Sequence, residues 1–251
     1  MAKQAGIHPL RGSIGDVTYC KTEYGYIAKE KSGPDRKAVL QSECFVRTRE
    51  NAADFKTAIS AATLLRRAVY PFLKSIANVR LNGRMNGVLL KIIRSDAEHV
   101  CGERQATGGP LHKLTGFEFN SNQTLSSMLH VSCKTTILPM NGTMQINFAS
   151  FIPQNHITAP GGATHFKIVS VGASIDFTNQ KFTNNHCQTP MLPIDKKTVK
   201  PVCMQHQPEA IPGQYLLLAA GIVFYKMVDG FEQMVKGGAL KIVEVREYQT
   251  Q

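Results

Sequence analysis

Among the side chains that could do chemistry, His186-Cys187 and Cys203-Met-Gln-His206 come nearest to a site, offering four nitrogen and sulfur donors in two pairs about sixteen residues apart. Four such donors converging tetrahedrally hold zinc. Pro190, Pro193 and Pro201 mark the interval as a loop whose ends need not meet, so no metal and no other cofactor is expected. The six cysteines, at 20, 44, 101, 133, 187 and 203, include no CxxC pair and read as reduced, mostly buried small hydrophobes. Hydrolytic chemistry needs a nucleophile beside a base, or two carboxylates in a cleft. The eight histidines, at 8, 99, 112, 130, 156, 165, 186 and 206, are scattered, and none lies in HExxH, GxSxG or Walker spacing. His165, between Thr164 and Phe166, reads as a surface or internally satisfied histidine. The residues name no reaction, and a non-enzymatic protein is expected. Asn122-Gln-Thr and Asn141-Gly-Thr match the glycosylation sequon, but without a glycosylating compartment they are polar turn residues.

Charge is the stronger signal. The chain of 251 residues carries a net charge of +11. Residues 1–105 hold 18 Lys and Arg against 10 Asp and Glu, a balance of +8, whereas 106–251 hold 11 against 8, a balance of +3. Between Asp54 and Asp96 there is no acidic residue, while Lys56, Arg66, Arg67, Lys74, Arg80, Arg84, Lys91 and Arg94 are all basic. Such a field attracts polyanions through steering and counterion release. It is equally the signature of a solvated helical face, or of charges answered by an acidic patch on a neighbouring subunit. No RRM, KH, zinc-finger or helix-turn-helix pattern accompanies it.

The elements that must position these groups fall into three segments. In residues 1–40, Val17, Tyr19, Tyr26 and Ala28 alternate with polar partners around the turn residues 22–25, which predicts a half-buried β-ribbon. Residues 41–105 predict a basic helical hairpin. Phe55, Ala58, Ile59, Ala62, Leu65 and Val69 line one helical face, Pro71 starts a second helix, and Phe72, Leu73, Ile76 and Val79 form its apolar side. Asn82-Gly83 and Asn86-Gly87 weaken the helix before Val88, Leu89, Ile92 and Ile93 resume the pattern. From 106 to 251 the period changes to that of an antiparallel β-sandwich. Expected strands are 113–119, 124–132, 143–151, 165–171, 174–177, 214–227, 231–235 and 239–247, with a hairpin at Asp229-Gly230. The run Tyr215–Tyr225 is apolar on both faces, as a strand covered on two sides would be. That run is far short of the ~20 residues of a spanning helix. The N-terminal heptapeptide Met-Ala-Lys-Gln-Ala-Gly-Ile lacks an apolar signal region, so the cytoplasm, or a particle assembled there, is the expected location.

The pieces Gly12–Tyr19, Tyr24–Lys29, Arg47–Asn51, Gly116–Asn120, Ala163–Ser170 and Gly221–Tyr225 resemble a family of uncharacterised Bacteroidota proteins. The resemblance implies an α+β architecture of N-terminal β-ribbon, basic helical segment and C-terminal β-sandwich, and no chemistry. An isolated two-stranded ribbon is marginal in water and must dock on something. The expectation is a self-assembling structural protein, such as a filament, tube or virion-like component, whose arm residues Val17, Tyr19, Tyr24 and Tyr26 contact other copies of the chain. The alternative is a nucleic-acid-binding protein using Arg66, Arg67, Lys74, Arg80 and Arg84.

Overall fold

The computed structural model describes residues 2–6, 8–31, 33–76, 78 and 80–249. The chain divides into two compact units between Arg49 and Glu50. The first begins with β1 (Ala2–Lys3), β2 (Gly12–Ile14), β3 (Val17–Thr22) and β4 (Gly25–Glu30), followed by α1 (Arg36–Gln41). The expected ribbon is β3 paired with β4. Two short strands flank it, giving a four-stranded antiparallel sheet in the order β1-β4-β3-β2.

The second unit holds most of α2 (Val46–Ala68), then α3 (Tyr70–Ile76) and α4 (Leu81–Arg94). Pro71 is the second residue of α3, where a missing N–H costs no helical bond. Val79, expected on the apolar side of this helix, lies outside the described residues. The buried stripe of α2 is Asp54, Ala58, Ala61, Ala62, Leu64, Leu65 and Ala68, rotated from the expected one, so that Phe55 and Ile59 face outward at 45% and 38% exposure. Helix α4 runs unbroken through both Asn-Gly pairs because Leu81, Met85, Leu89, Ile92 and Ile93 anchor it at helical spacing.

After α4 come a 3-10 turn (Leu111–Leu114), α5 (Leu125–Met128), β5 (Cys133–Leu138), β6 (Thr143–Phe148) and α6 (Pro153–His156). The expected strands at 113–119 and 124–132 are replaced by these short helical turns. In α5 the Thr124 side chain accepts a bond from Ser127 N, an N-cap that outcompetes the strand. The remaining elements are β7 (His165–Asp176), β8 (Lys181–Gln188), β9 (Leu192–Pro193), β10 (Val202–His206), β11 (Tyr215–Val228) and β12 (Phe231–Glu247). The two strands expected at 165–177 are one, as are the two expected at 231–247. Asp229 and Gly230, both at positive φ (52° and 81°), close the β11–β12 hairpin as a two-residue turn.

Two antiparallel sheets result, β10-β6-β5 and β12-β11-β7-β8 with β9 beside β7. They pack face to face as a sandwich. Met144, Ile146, Phe148 and Met204 meet Phe166, Ile168, Leu218, Ile222 and Phe224 in the core between them. The other face of the larger sheet, through Val169, Val171, Leu217, Val223, Leu240 and Ile242, shares a second core with α2, α3 and α4. Each such fully buried side chain contributes about 1.5–3 kcal/mol of transfer free energy. Strand β11 is thus buried on both faces, as its composition predicts, and the helices form its second cover. The helical segment shares its core with residues beyond 105, so a continuous core crosses the boundary expected at 105/106.

Candidate functional site

In the N-terminal unit the β3–β4 register sets which side chains share a face. Val17, Tyr19 and Lys21 stand opposite Glu30, Ala28 and Tyr26, with Ile14 beside Val17 on β2. Val17, Tyr19 and Tyr26 therefore lie on one face, and Cys20 and Ile27 on the other. Tyr24 sits in the turn, 79% exposed. Arg11 and Lys21 lie 5.6 and 5.7 Å from the Tyr26 ring centroid. Arg11 also donates to the Tyr26 hydroxyl at 3.3 Å, and that bond lowers the phenol's pKa. Gln4 ties β1 down by donating to the carbonyls of Leu10 and Ile27 and accepting from Leu10 N.

No described residue from 2 to 49 is buried. The outer strands are also short. Strand β2 lies opposite Val17–Tyr19, so Cys20–Thr22 has β4 on one side and, among the described residues, no strand on the other. A sheet gains stability by packing an apolar face or extending its ladder. This sheet has both avenues open.

Four of the five basic residues expected to form a polyanion surface have separate engagements within the chain. Arg66 is partly buried, hydrogen-bonded to Asn82 and Thr63, and burial lowers its pKa. Arg67 stacks on Phe182 at 5.7 Å and Lys74 on Tyr70 at 5.7 Å. Arg80 is exposed at the start of α4. Arg84 donates to the carbonyls of Glu118 and Phe119 at 2.7 and 3.0 Å and lies over Phe117, acting as a clamp between α4 and the segment leading to the sandwich.

The four candidate metal donors alternate across two strands and diverge. His186 packs edge-on against Phe72. Cys187 donates to Gln205 O, Cys203 accepts from the Gln145 amide at 2.9 Å, and His206 is buried against Ser170. The six cysteines are free thiols, but contrary to the expectation none is buried: Cys44, Cys133 and Cys203 are exposed and the others half-buried. Cys133, Cys187 and Cys203 stand on edge strands, Cys44 and Cys101 outside the sheets, and Cys20 in the N-terminal sheet, which has no buried residue. Among the described residues no group of three or more His, Cys, Asp or Glu could hold a metal ion. The Ser170–His206 bond, 2.8 Å, resembles half of a nucleophile–base pair, but Ser170 is 0% and His206 1% exposed, which closes it to substrate. Burial pushes the His206 imidazole down to about 4. It serves as a neutral polar bolt between the two sheets.

One exposed surface escaped the sequence reading. Around the β11–β12 turn, Met227, Val228, Phe231 and Met234 are 42%, 41%, 78% and 50% exposed. Its signal was present in Met227 and Val228, apolar residues that follow Lys226 beyond the buried part of β11. No described helix is long and apolar enough to cross a membrane.

No family model, curated protein or solved structure matches this chain.

Proposed function

We propose that this protein is a non-enzymatic, self-assembling structural protein, a filament, tube or virion-like component in which the N-terminal sheet of one copy contacts another. The supporting observation is the absence of any buried residue among the described positions from 2 to 49, although those positions form a four-stranded sheet and a helix. Such a unit has no core of its own, and burial against a second surface supplies what it lacks. Tyr19, Tyr24 and Tyr26 combine large contact area with a polar tip, which suits an interface that also meets water. A head-to-tail contact of this kind repeats without closing and generates a polymer. The alternative, nucleic-acid binding through the basic helices, rests on charge, and the engagement of Arg66 and Arg84 with their own chain weighs against it.

Light scattering and negative-stain microscopy at low and raised salt test the proposal. Assemblies held by strand pairing and apolar contact persist as salt rises, whereas polyanion complexes weaken steeply. A full-length Ile14→Asp/Ile27→Asp variant, and a chain lacking residues 1–31, should remain folded and become smaller species. A wild-type chain that is monomeric at all concentrations, or variants that keep the wild-type size, would overturn it.

A further inference from the structure

The segment from Ser95 to Pro110 joins α4 to the 3-10 turn without a helix or strand. Irregular connections of this length are uncommon in compact domains, and those that persist are mostly functional or disordered. This one is pinned. The Asp96 side chain, 0% exposed, accepts from the backbone N–H groups of Glu98, His99 and Gln105 and pairs with His99 Nδ1 at 2.8 Å. Asp54, on α2, accepts from Gly102 N at 2.9 Å. At Gly108 a Cβ would stand 2.4 Å from the Asp96 carboxyl carbon, and at Gly109 one would stand 2.2 Å from Ile92 O, so neither position admits a side chain. An irregular loop held this firmly is the support on which ligand sites are built.

Beside it lies a cleft of about 490 Å³, bounded by α2, residues 102–107 and the β7–β8 turn. That volume falls within the roughly 300–1,000 Å³ of small-molecule sites. Lys56, Thr57, Ser60, Arg104, Thr107 and Thr178 supply two cations and four hydroxyls, Glu103 one carboxylate, and Phe177 an apolar wall. Arg104 is incompletely satisfied. Its Nε is buried without a partner among the described residues, and its Nη1 reaches Asp54 only at 3.5 Å, longer than the ~2.7–2.9 Å of a strong charge-assisted bond. With Nε shielded and 20% of the side chain exposed, the terminal guanidinium nitrogens are where an oxyanion in the cleft would bind. A lysine, a guanidinium and the hydroxyls that line the cleft are the donor types that the acceptor oxygens of a phosphate take. We propose that this cleft binds a small phosphate-bearing molecule, a site separate from the assembly surface.

The test uses the full-length protein with inorganic phosphate and, separately, phenyl phosphate, each against sodium chloride of equal ionic strength. Thermal unfolding and phosphorus NMR line width report binding. A ligand that binds the folded state raises Tm by mass action. Both probes should raise Tm and broaden, with the ester favoured if Phe177 receives its body and free phosphate favoured if the anion alone is read. Lys56 is exposed, so Lys56→Gln should keep the unliganded Tm while weakening binding about tenfold. Arg104→Gln should weaken it further, and Arg80→Gln, outside the cleft, should bind as wild type. If Arg104→Gln fails to fold, Lys56→Gln decides. Equal responses to phosphate and chloride, unchanged binding by Lys56→Gln, or equal loss in Arg80→Gln would overturn the proposal.

Discussion

The two-sided burial of β11 can be probed by truncating one residue on each face. Phe224, 0% exposed, packs into the core between the sheets, and Leu217, 1% exposed, into the core beneath the helices. Seven positions apart at ~3.4 Å per residue, they lie about 24 Å from one another, so each reports its own core. Phe224→Ala should cost about 3–5 kcal/mol and Leu217→Ala about 2–5 kcal/mol, as transfer and cavity contributions add. For a chain of this size 1 kcal/mol corresponds to about 2–4 °C in Tm, so the losses are about 6–20 °C and 4–20 °C. Met227→Ala, on the same strand but 42% exposed, is the control and should stay within about 0.5 kcal/mol. Urea unfolding followed by far-ultraviolet circular dichroism measures all three, the chain having no tryptophan. A loss below about 1 kcal/mol for either Phe224 or Leu217 would show that one cover of the central sheet is absent, and the three-layer arrangement would fall with it.

Other perturbations address single contacts. Arg84→Gln should lower stability by about 1.5–3 kcal/mol by stranding the Glu118 and Phe119 carbonyls, while Arg80→Gln leaves it unchanged; equal effects would deny Arg84 its clamping role. Burial raises the Asp96 pKa, but the hydrogen bonds from Gln105, Glu98 and His99 outweigh it and hold the carboxyl at about 2. The carboxylate's contribution is therefore present above the ordinary pKa of 3.8 and lost as pH falls toward 2, and Asp96→Asn should flatten the stability profile in that window. His206 titrates at about 4 when folded against 6.5 when unfolded, so the unfolded chain gains its proton first and stability should decline as pH falls from 6.5 to 4. A His206→Gln profile as steep as wild type would assign the decline elsewhere.

What composition could reveal was carried by strongly apolar or strongly turn-prone residues. Tyr215–Tyr225 declared a strand covered twice because eleven consecutive positions offer no polar face. Asp229-Gly230 declared its hairpin through the backbone both residues adopt. Strands β5, β8 and β10 escaped because they lie at sheet edges and carry polar side chains. Lys-Phe-Thr-Asn-Asn-His-Cys-Gln in β8 has no fully buried position, so no alternation marks it. Arg84 looked like a surface cation because its acceptors lie 34 and 35 residues away. Asp54 could have been found. It sits four residues before Ala58 on the buried stripe of α2, and a carboxylate there demands partners. Phe55 and Ile59 misled because helical periodicity defines a stripe but leaves its rotation about the axis to the packing partner.

The sharing of one core by α2 to α4 and the central sheet also sets an order of events during synthesis. Ala58, Leu65, Leu89 and Ile93 leave the ribosome well before Leu217, Leu240 and Ile242, the side chains that cover them. At ~5–20 residues per second, the interval of roughly 150 residues lasts on the order of 8–30 s. Throughout it, basic helices with an uncovered apolar stripe stand beside the polyanionic ribosome. The nascent chain is most vulnerable in that window, and a holdase acting on residues 50–95 would raise the yield of folded protein more than one acting on the sandwich.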